Sequence, residues 1–352
     1  EALINRNSGF DYLPFYPGFR AAPQANQFFR QEPIRCRRIP VSERLWLALS
    51  QRMGVPMPMK GILGQFDIYH GPDFIIPASA SMCSIVTIHD LTYVTHPDSA
   101  HPAQKRYLDS AVPQAIARSS RVIAVSESTR DDVIAIYGVR SDRVHVVHNG
   151  LDPIFQEAIS DESLLQAQRL IGPISRFVFS VGTIQPRKNF VAMARAVGLA
   201  RRRGIDIEFV LAGATGWMSK QILSDIAELD DGFVHFVGPV NDLVLKGLYQ
   251  LADITMAVSK AEGFMLPIIE SMAMGTPVIT SDVSSMPEVA GDAALLVSPG
   301  SPEQMADAIV RLVKDPDLAQ HLRNIGLIRA GKFTWQSGAR KTEAVYRAAL
   351  GV

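Results

Sequence analysis

The sequence predicts an α/β protein built as two doubly wound, Rossmann-like domains that face each other across a central cleft. Three observations predict it. Short apolar runs alternate with helical patterns along most of the 352 residues. The runs are nearly continuous in apolarity, as expected of strands covered on both faces by helices. The length exceeds one ordinary domain and suits two.

In the first half, FDIYHG (66–71), SIVTIHDL (84–91), RVIAVS (121–126) and RVHVVHNG (143–150) read as strands that end in polar or glycine residues. KRYLDSAVPQAIARS (105–119) and ESTRDDVIAIYG (127–138) read as the helices between them, and this alternation argues for a parallel sheet. Ahead of them, EALINRNSG reads as the tail of a helix and FDYLPFY as strand-like. The chain is therefore expected to begin inside a domain, without that domain's first strand and helix.

The second half repeats the pattern. RFVFSVG (176–182), IEFVLAG (207–213), FVHFVGP (233–239), ITMAVS (254–259), TPVITS (276–281) and AALLVSP (293–299) read as strands. NFVAMARAVGLARRRG (189–204), SKQILSDIAEL (219–229) and SPEQMADAIVRLVKD (301–315) read as helices, with Gly204 ending the first and Ser301 capping the third. DESLLQAQRL (161–170) forms the connector. The expected boundaries are 1–152 for an acceptor-side domain, 153–333 for a donor-binding domain and 334–352 for a last helix packing back toward the first domain.

Composition narrows the function. Lys plus Arg equals Asp plus Glu at 35 each, which argues against nucleic acid as a bulk partner. The two cysteines, Cys36 and Cys83, form no CxxC and no His/Cys cluster, which argues against a disulfide scaffold or structural zinc and fits a reducing, cytoplasmic setting. No apolar run reaches the roughly 18–20 residues of a membrane-spanning helix, and no signal peptide is visible. IRCRRIPVSERLWLALSQRM (34–53) is basic with an apolar face of Leu45, Trp46 and Leu49. It reads equally as a peripheral contact with an anionic membrane surface and as an ordinary surface helix.

The chemistry concentrates where strands end. AEGFMLPIIESMAMGTP (261–277) parses as loop, helix and turn. Pro267 suits a first helical turn and Gly275 a helix end. Glu262 then stands in the loop at a strand's carboxyl end, and Glu270 one turn inside the helix. Acids attracted by the helix dipole account loosely for Glu262 and poorly for Glu270. The backbone amides of Gly263 and Phe264 are free to meet an anion. In SVGTIQPRKNF (180–190) a strand ends at Gly182, and Arg187 and Lys188 precede a helix. Two cations there oppose the helix dipole, so a bound diphosphate would relieve the cost; a solvated basic helix end is the plain alternative. His89 and Asp90 emerge from the end of an apolar strand, where Asp90 either orients His89 or caps the next segment.

EGFMLPIIESMAMGTPVITSDVSSMPEVAGDAALLVSP resembles the signature of retaining family 4 glycosyltransferases of the GT-B fold: E-G-F-x-L-P-x-x-E, A-x-G-x-P-V and P-E-V-x-G-x-A. SVGTIQPRKN, TIHDLTYVTHP, AVSESTRDDV and VVHNGLD are also similar to this family, and within it to bacterial mannosyltransferases of lipopolysaccharide and exopolysaccharide assembly. The resemblance spans nearly the whole chain. It implies that Glu262 contacts the transferred sugar and Glu270 the ribose. Arg187 and Lys188 would neutralise the donor diphosphate with the Gly263 and Phe264 amides, and His89 would lie at the sugar and reacting centre. Val237 and Gly238 would lie near the base, Gly182, Met265 and Leu266 would complete the donor site, and Asn149-Gly150 would be the hinge.

The implied reaction moves a hexose, foremost mannose from GDP-mannose, to a saccharide or lipid-linked saccharide acceptor. No cofactor is expected, and no metal either, because no convincing D-x-D is present and Asp230-Asp231 reads as a polar turn. UDP-glucose or another donor, a nucleotide-sugar epimerase or phosphorylase on the same fold, and a non-enzymatic sugar-nucleotide-binding scaffold are the alternatives. Relatives begin with a strand and a Gly-rich loop on the acceptor side, for which Glu1 and its successors supply no counterpart.

Overall fold

The structure is a computed structural model that describes residues 2–6, 9–18, 36–42, 45–46, 58–78, 83–229 and 231–352. Strands β1 (Phe15–Pro17) and β2 (Arg37–Ile39) pair in parallel. Helix α1 (Met59–Leu63) leads to a second parallel sheet of β3 (Ile68–Gly71), β4 (Cys83–Ile88), β5 (Arg121–Ala124) and β6 (Val144–Val146), in the order β3-β4-β5-β6. Helices α2 (Thr92–Thr95), α3 (Pro102–Arg118) and α4 (Glu127–Tyr137) link these strands.

After α5 (Asp161–Ile171), six parallel strands follow: β7 (Phe177–Val181), β8 (Glu208–Ala212), β9 (Val234–Gly238), β10 (Ile254–Ala257), β11 (Val278–Ser281) and β12 (Ala294–Val297). Their spatial order, β12-β11-β10-β7-β8-β9, places the first strand in the middle with the order reversing between β7 and β10. That reversal leaves a crevice beyond the carboxyl ends of β7 and β10, where a ligand can enter between loops that diverge. The intervening helices are α6 (Phe190–Arg202), α7 (Ser219–Ala227), α8 (Asp242–Leu251), α9 (Leu266–Ala273), α10 (Met286–Ala290), α11 (Pro302–Lys314) and α12 (Pro316–Ala330). Ser301 caps α11 by accepting the Gln304 N–H at 3.2 Å.

The apolar runs divide by alternation into two cores. Val178, Phe209 and Leu211 face α6 and α11, while Phe177, Phe179 and Val210 face α8 and α9. Each fully buried Phe contributes roughly 1.5–3 kcal/mol, so both faces of this sheet are strongly driven inward.

Two crossings join the domains side by side. The Leu151 N–H donates to the Phe333 carbonyl at 2.9 Å, and Leu151 pairs with Thr334. A side chain at Gly150 would collide with the Trp335 backbone, so glycine permits this approach. Helix α13 (Trp335–Leu350) then lays Val345 and Tyr346 against Ile85, Ile123 and Val147 of the first domain. Its Glu343 accepts from Arg6 at 2.9 Å and Tyr12 at 3.1 Å.

The helix expected over 34–53 is corrected at its start. Residues 37–39 are strand β2, whereas Leu45 and Trp46 are helical, with Leu45 exposed and Trp46, 6% exposed, packed near Phe15. Pro40 explains the change, because proline lacks the N–H a helix needs and clashes with the preceding turn. Leu49 and the rest of 34–35, 43–44 and 47–53 lie outside the described residues, as does Asp230. Residues 2–6 form turns, not a helix tail. Among the described residues, no helix is long and apolar enough to cross a membrane.

Candidate active site

The loops that follow β7 and β10 meet at the crevice. After Gly182 a 3-10 turn carries Arg187 and Lys188, and Asn189 in the left-handed conformation (φ 63°) opens α6. Backbone and side chains stitch this loop to its neighbour. The Lys260 N–H donates to the Arg187 carbonyl at 2.9 Å, Arg187 donates to the Ala261 carbonyl at 2.9 Å, and Asn189 donates to the Val258 carbonyl at 3.2 Å. The Glu262 carbonyl is held by the hydroxyls of Ser284 at 2.6 Å and Ser285 at 2.8 Å.

The Glu262 side chain, 8% exposed, lies between the two cations. It pairs with Arg187 through one oxygen and with Lys188, at 2.8 Å, through Oε1. Burial alone would push its carboxyl up; Lys188 and Arg187 override that and hold it down at about 2. The expected cost of two uncompensated cations is thus met inside the protein. Lys188 Nζ lies 2.8 Å from Oε1, an oxygen that the surrounding fold buries.

Glu270 stands one turn inside α9 and accepts from the Tyr249 hydroxyl of α8 at 2.8 Å. Burial pushes its carboxyl up to about 7, with Asp152 and Asp242 adding to the rise and Tyr249 and Lys188 opposing it. Between the two acids runs the turn Gly263-Phe264-Met265. Met265 takes φ 77° ahead of α9, and its sulfur lies 3.9 Å from Lys188 Nζ. Leu266 is exposed, Pro267 second in the helix has no N–H, and the Ile268 N–H donates to the Met265 carbonyl at 3.1 Å, so in this turn the Leu266 N–H is left without an intrahelical acceptor. Gly182 lies against the Lys188 stem, with room for a Cβ only 3.2 Å from Cε.

His89 arrives from the other domain at the end of β4. Its Nε2–H donates to the Pro72 carbonyl at 2.8 Å and its ring meets Phe74, which leaves Nδ1 as the ring nitrogen outside this contact. What touches the donor-side turn is its backbone: a Cβ on Gly263 would land on the His89 carbonyl oxygen. Thr129 of α4 bridges the same place, 3.5 Å from the His89 carbonyl and 3.4 Å from that of Gly263. Asp90 caps α2, accepting from the Thr92 N–H at 2.9 Å and hydroxyl at 2.6 Å, and its charge also reaches Arg187.

The structure therefore joins Gly182, Arg187, Lys188, Glu262, Gly263, Phe264, Met265, Leu266 and Glu270 around one crevice, with His89 opposite. Val237 and Gly238 stand apart at the end of the edge strand β9, two strands from β7. Sequence reasoning missed Tyr249, Thr129, His148 and Glu288; of these, Glu288 lay inside the quoted P-E-V-x-G run, Thr129 inside AVSESTRDDV and His148 inside VVHNGLD. Among the described residues, no group of His, Cys, Asp and Glu could hold a metal ion. A cavity of about 440 Å³ behind α4, lined by Arg130, His145 and Lys341, involves none of these crevice groups.

Comparison with known proteins agrees with this arrangement. Residues 6–155 match the family model described as Glycosyltransferase Family 4, and residues 175–315 that described as Glycosyl transferases group 1. The O-antigen chain mannosyltransferase B of Escherichia coli is 28% identical over 284 residues, covering 80% of this chain and 74% of the relative. Sucrose-phosphate synthase from Thermosynechococcus elongatus superposes with a TM-score of 0.73 at 21% identity, covering all of this chain and 91% of the other. An Anabaena protein in complex with UDP and glucose superposes with a TM-score of 0.70 at 16% identity, covering 96% and 92%.

Proposed function

We propose that this chain, which belongs to the family 4 and group 1 glycosyltransferases, moves mannose from GDP-mannose onto a saccharide or lipid-linked saccharide, with retention and without a metal. The observation that carries the reading is the pair of nearly buried cations, Arg187 and Lys188, converging on Glu262 at the switch-point crevice, beside the first turn of α9. The bond between the anomeric carbon and the diphosphate oxygen breaks, and its electrons go to the leaving phosphate. Arg187, Lys188 and the α9 amides stabilise that growing charge, which is larger in the transition state than in the bound donor. Glu262 contacts the sugar and keeps the cations aimed. Glu270 takes the ribose hydroxyls. His89 Nδ1 accepts from the sugar on the opposite side. The acceptor oxygen bonds the anomeric carbon on the face the phosphate leaves, and its proton passes to the phosphate oxygen.

Mannose as the sugar is supported by the name of the E. coli relative, and UDP-glucose as the competing donor by the UDP-and-glucose complex of the Anabaena neighbour. A thermal-shift panel of GDP-, UDP-, dTDP- and ADP-sugars separates them, since a bound donor raises apparent stability. Transfer is then assayed with and without EDTA, and the product's anomeric configuration read by NMR. Arg187→Ala and Lys188→Ala should each remove most turnover while leaving the circular dichroism unchanged. Unchanged turnover in both variants overturns the reading, and donor conversion with no acceptor present assigns an epimerase instead.

A further inference from the structure

The P-E-V-A-G run is not used by the chemistry above, yet its acid hydrogen-bonds directly across to the first domain. Glu288, in α10 of the second domain, accepts the Glu127 N–H at 3.0 and 2.9 Å and the Ser128 N–H at 3.4 Å, all from the first turn of α4 in the first domain. Ser126 takes the Thr129 N–H at 3.0 Å, so the amides that α4 cannot satisfy internally are completed from across the junction. A carboxylate at a helix N-terminus is also favoured by the helix dipole.

Glu288 has a second partner. Its Oε1 lies 2.6 Å from His148 Nε2, on the first crossing between the domains. The His148 ring packs on Phe264 at 5.9 Å and on Phe333 at 5.6 Å, and Phe264 meets Phe333 edge-on at 5.4 Å. Phe264 belongs to the turn beside Glu262, and Phe333 to the second crossing. Arg329 holds the base of this cluster, donating to the Val289 carbonyl at 2.9 Å and to the Glu288 carbonyl, with its guanidinium over Phe333 at 5.1 Å. One carboxylate thus touches the first domain's helix and, through one imidazole, the donor-side turn.

We propose that Glu288 is a positioning residue, the pin of a clasp that ties closure of the two domains to the setting of the Gly263-Phe264 turn. Opening the cleft withdraws the α4 amides from Glu288. It thereby removes the carboxylate's main anchor, frees His148, and leaves Phe264 packed on one side only. The consequence for transfer rests on the glycosyltransferase reading; the consequence for motion does not.

The test uses the full chain as Glu288→Ala and Glu288→Gln. Backbone hydrogen exchange is followed at Glu127, Ser128 and Phe264, and donor KM and kcat are measured with the best donor of the panel. The clasp predicts faster exchange at all three amides in Glu288→Ala, and a donor KM raised roughly 5- to 150-fold, as for ordinary couplings between sites, with kcat changed less. Glu288→Gln, which still accepts one N–H, should restore part of both. Faster exchange confined to Glu127 and Ser128, with donor KM unchanged, overturns the proposal and leaves Glu288 a helix cap. Should the parent chain transfer no sugar at all, the functional reading fails while exchange at Phe264 still decides the clasp.

Discussion

Glu262 shows how one side chain can serve both stability and chemistry. Its two partners are themselves 16% and 13% exposed, so removing the carboxylate leaves two nearly buried cations without a counter-charge. Glu262→Gln should therefore lower unfolding free energy by roughly 3–5 kcal/mol in urea titrations, well beyond a surface pair. The sign of the pH effect follows from the depressed carboxyl. From 4.5 in the unfolded chain it falls to about 2, so its contribution is complete above pH 4.5 and is lost as pH falls toward 2. Glu270 behaves in the opposite sense. Its carboxyl rises from 4.5 to about 7, so the folded chain holds a proton the unfolded chain has released, and stability falls as pH rises through that window. Glu270→Gln should raise the melting temperature at pH 8 and change it little at pH 4.5. Both acids were legible as site candidates because carboxylates interrupt an apolar run. Their opposite ionisation was not legible, since it depends on Lys188 and Arg187 arriving beside Glu262 and on other elements burying Glu270.

At the scale of elements, the second-domain strands were legible in order, because an apolar run beside Gly or Pro punctuation is a local signal. The start of the basic stretch over 34–53 misled, because the helix reading was extended over residues 37–39, while β2 is fixed there by pairing with β1 and by Pro40. Helix packing leaves its own narrow tolerances. Gly247 in α8 lies against α5, where an added Cβ would strike the Ser163 carbonyl and come 2.7 Å from Ala167 Cβ. Gly247→Ala is therefore expected to cost about 1–3 kcal/mol by overpacking, read as a lower urea midpoint with an unchanged slope. Gly263→Ala acts differently. Its Cβ meets the His89 carbonyl of the other domain, so it should reduce transfer at least tenfold and lower the thermal midpoint as well.

At the scale of the molecule, the two sheets are held by paired crossings, the α13 return and the contacts of Glu288 and Thr129. A ligand that binds between the domains should stabilise the closed arrangement, by about 2.7 kcal/mol at a donor concentration 100 times its Kd, and reduce the radius of gyration in solution scattering. Gly150→Ala should prise the crossings apart and weaken that compaction, since its Cβ would strike the Trp335 backbone. By itself the sequence determined the α/β class, the succession of strands and helices, and the residues around the crevice. Periodicity, punctuation and a run of motifs are all properties of neighbours along the chain. Only the tertiary structure decided that Glu262 neutralises Arg187 and Lys188, that His89 presents its backbone to Gly263, and that Glu288 caps a helix 161 residues away in the chain. Charge compensation and close approach depend on distances in space, and no spacing along the chain encodes them until both sheets have folded and met.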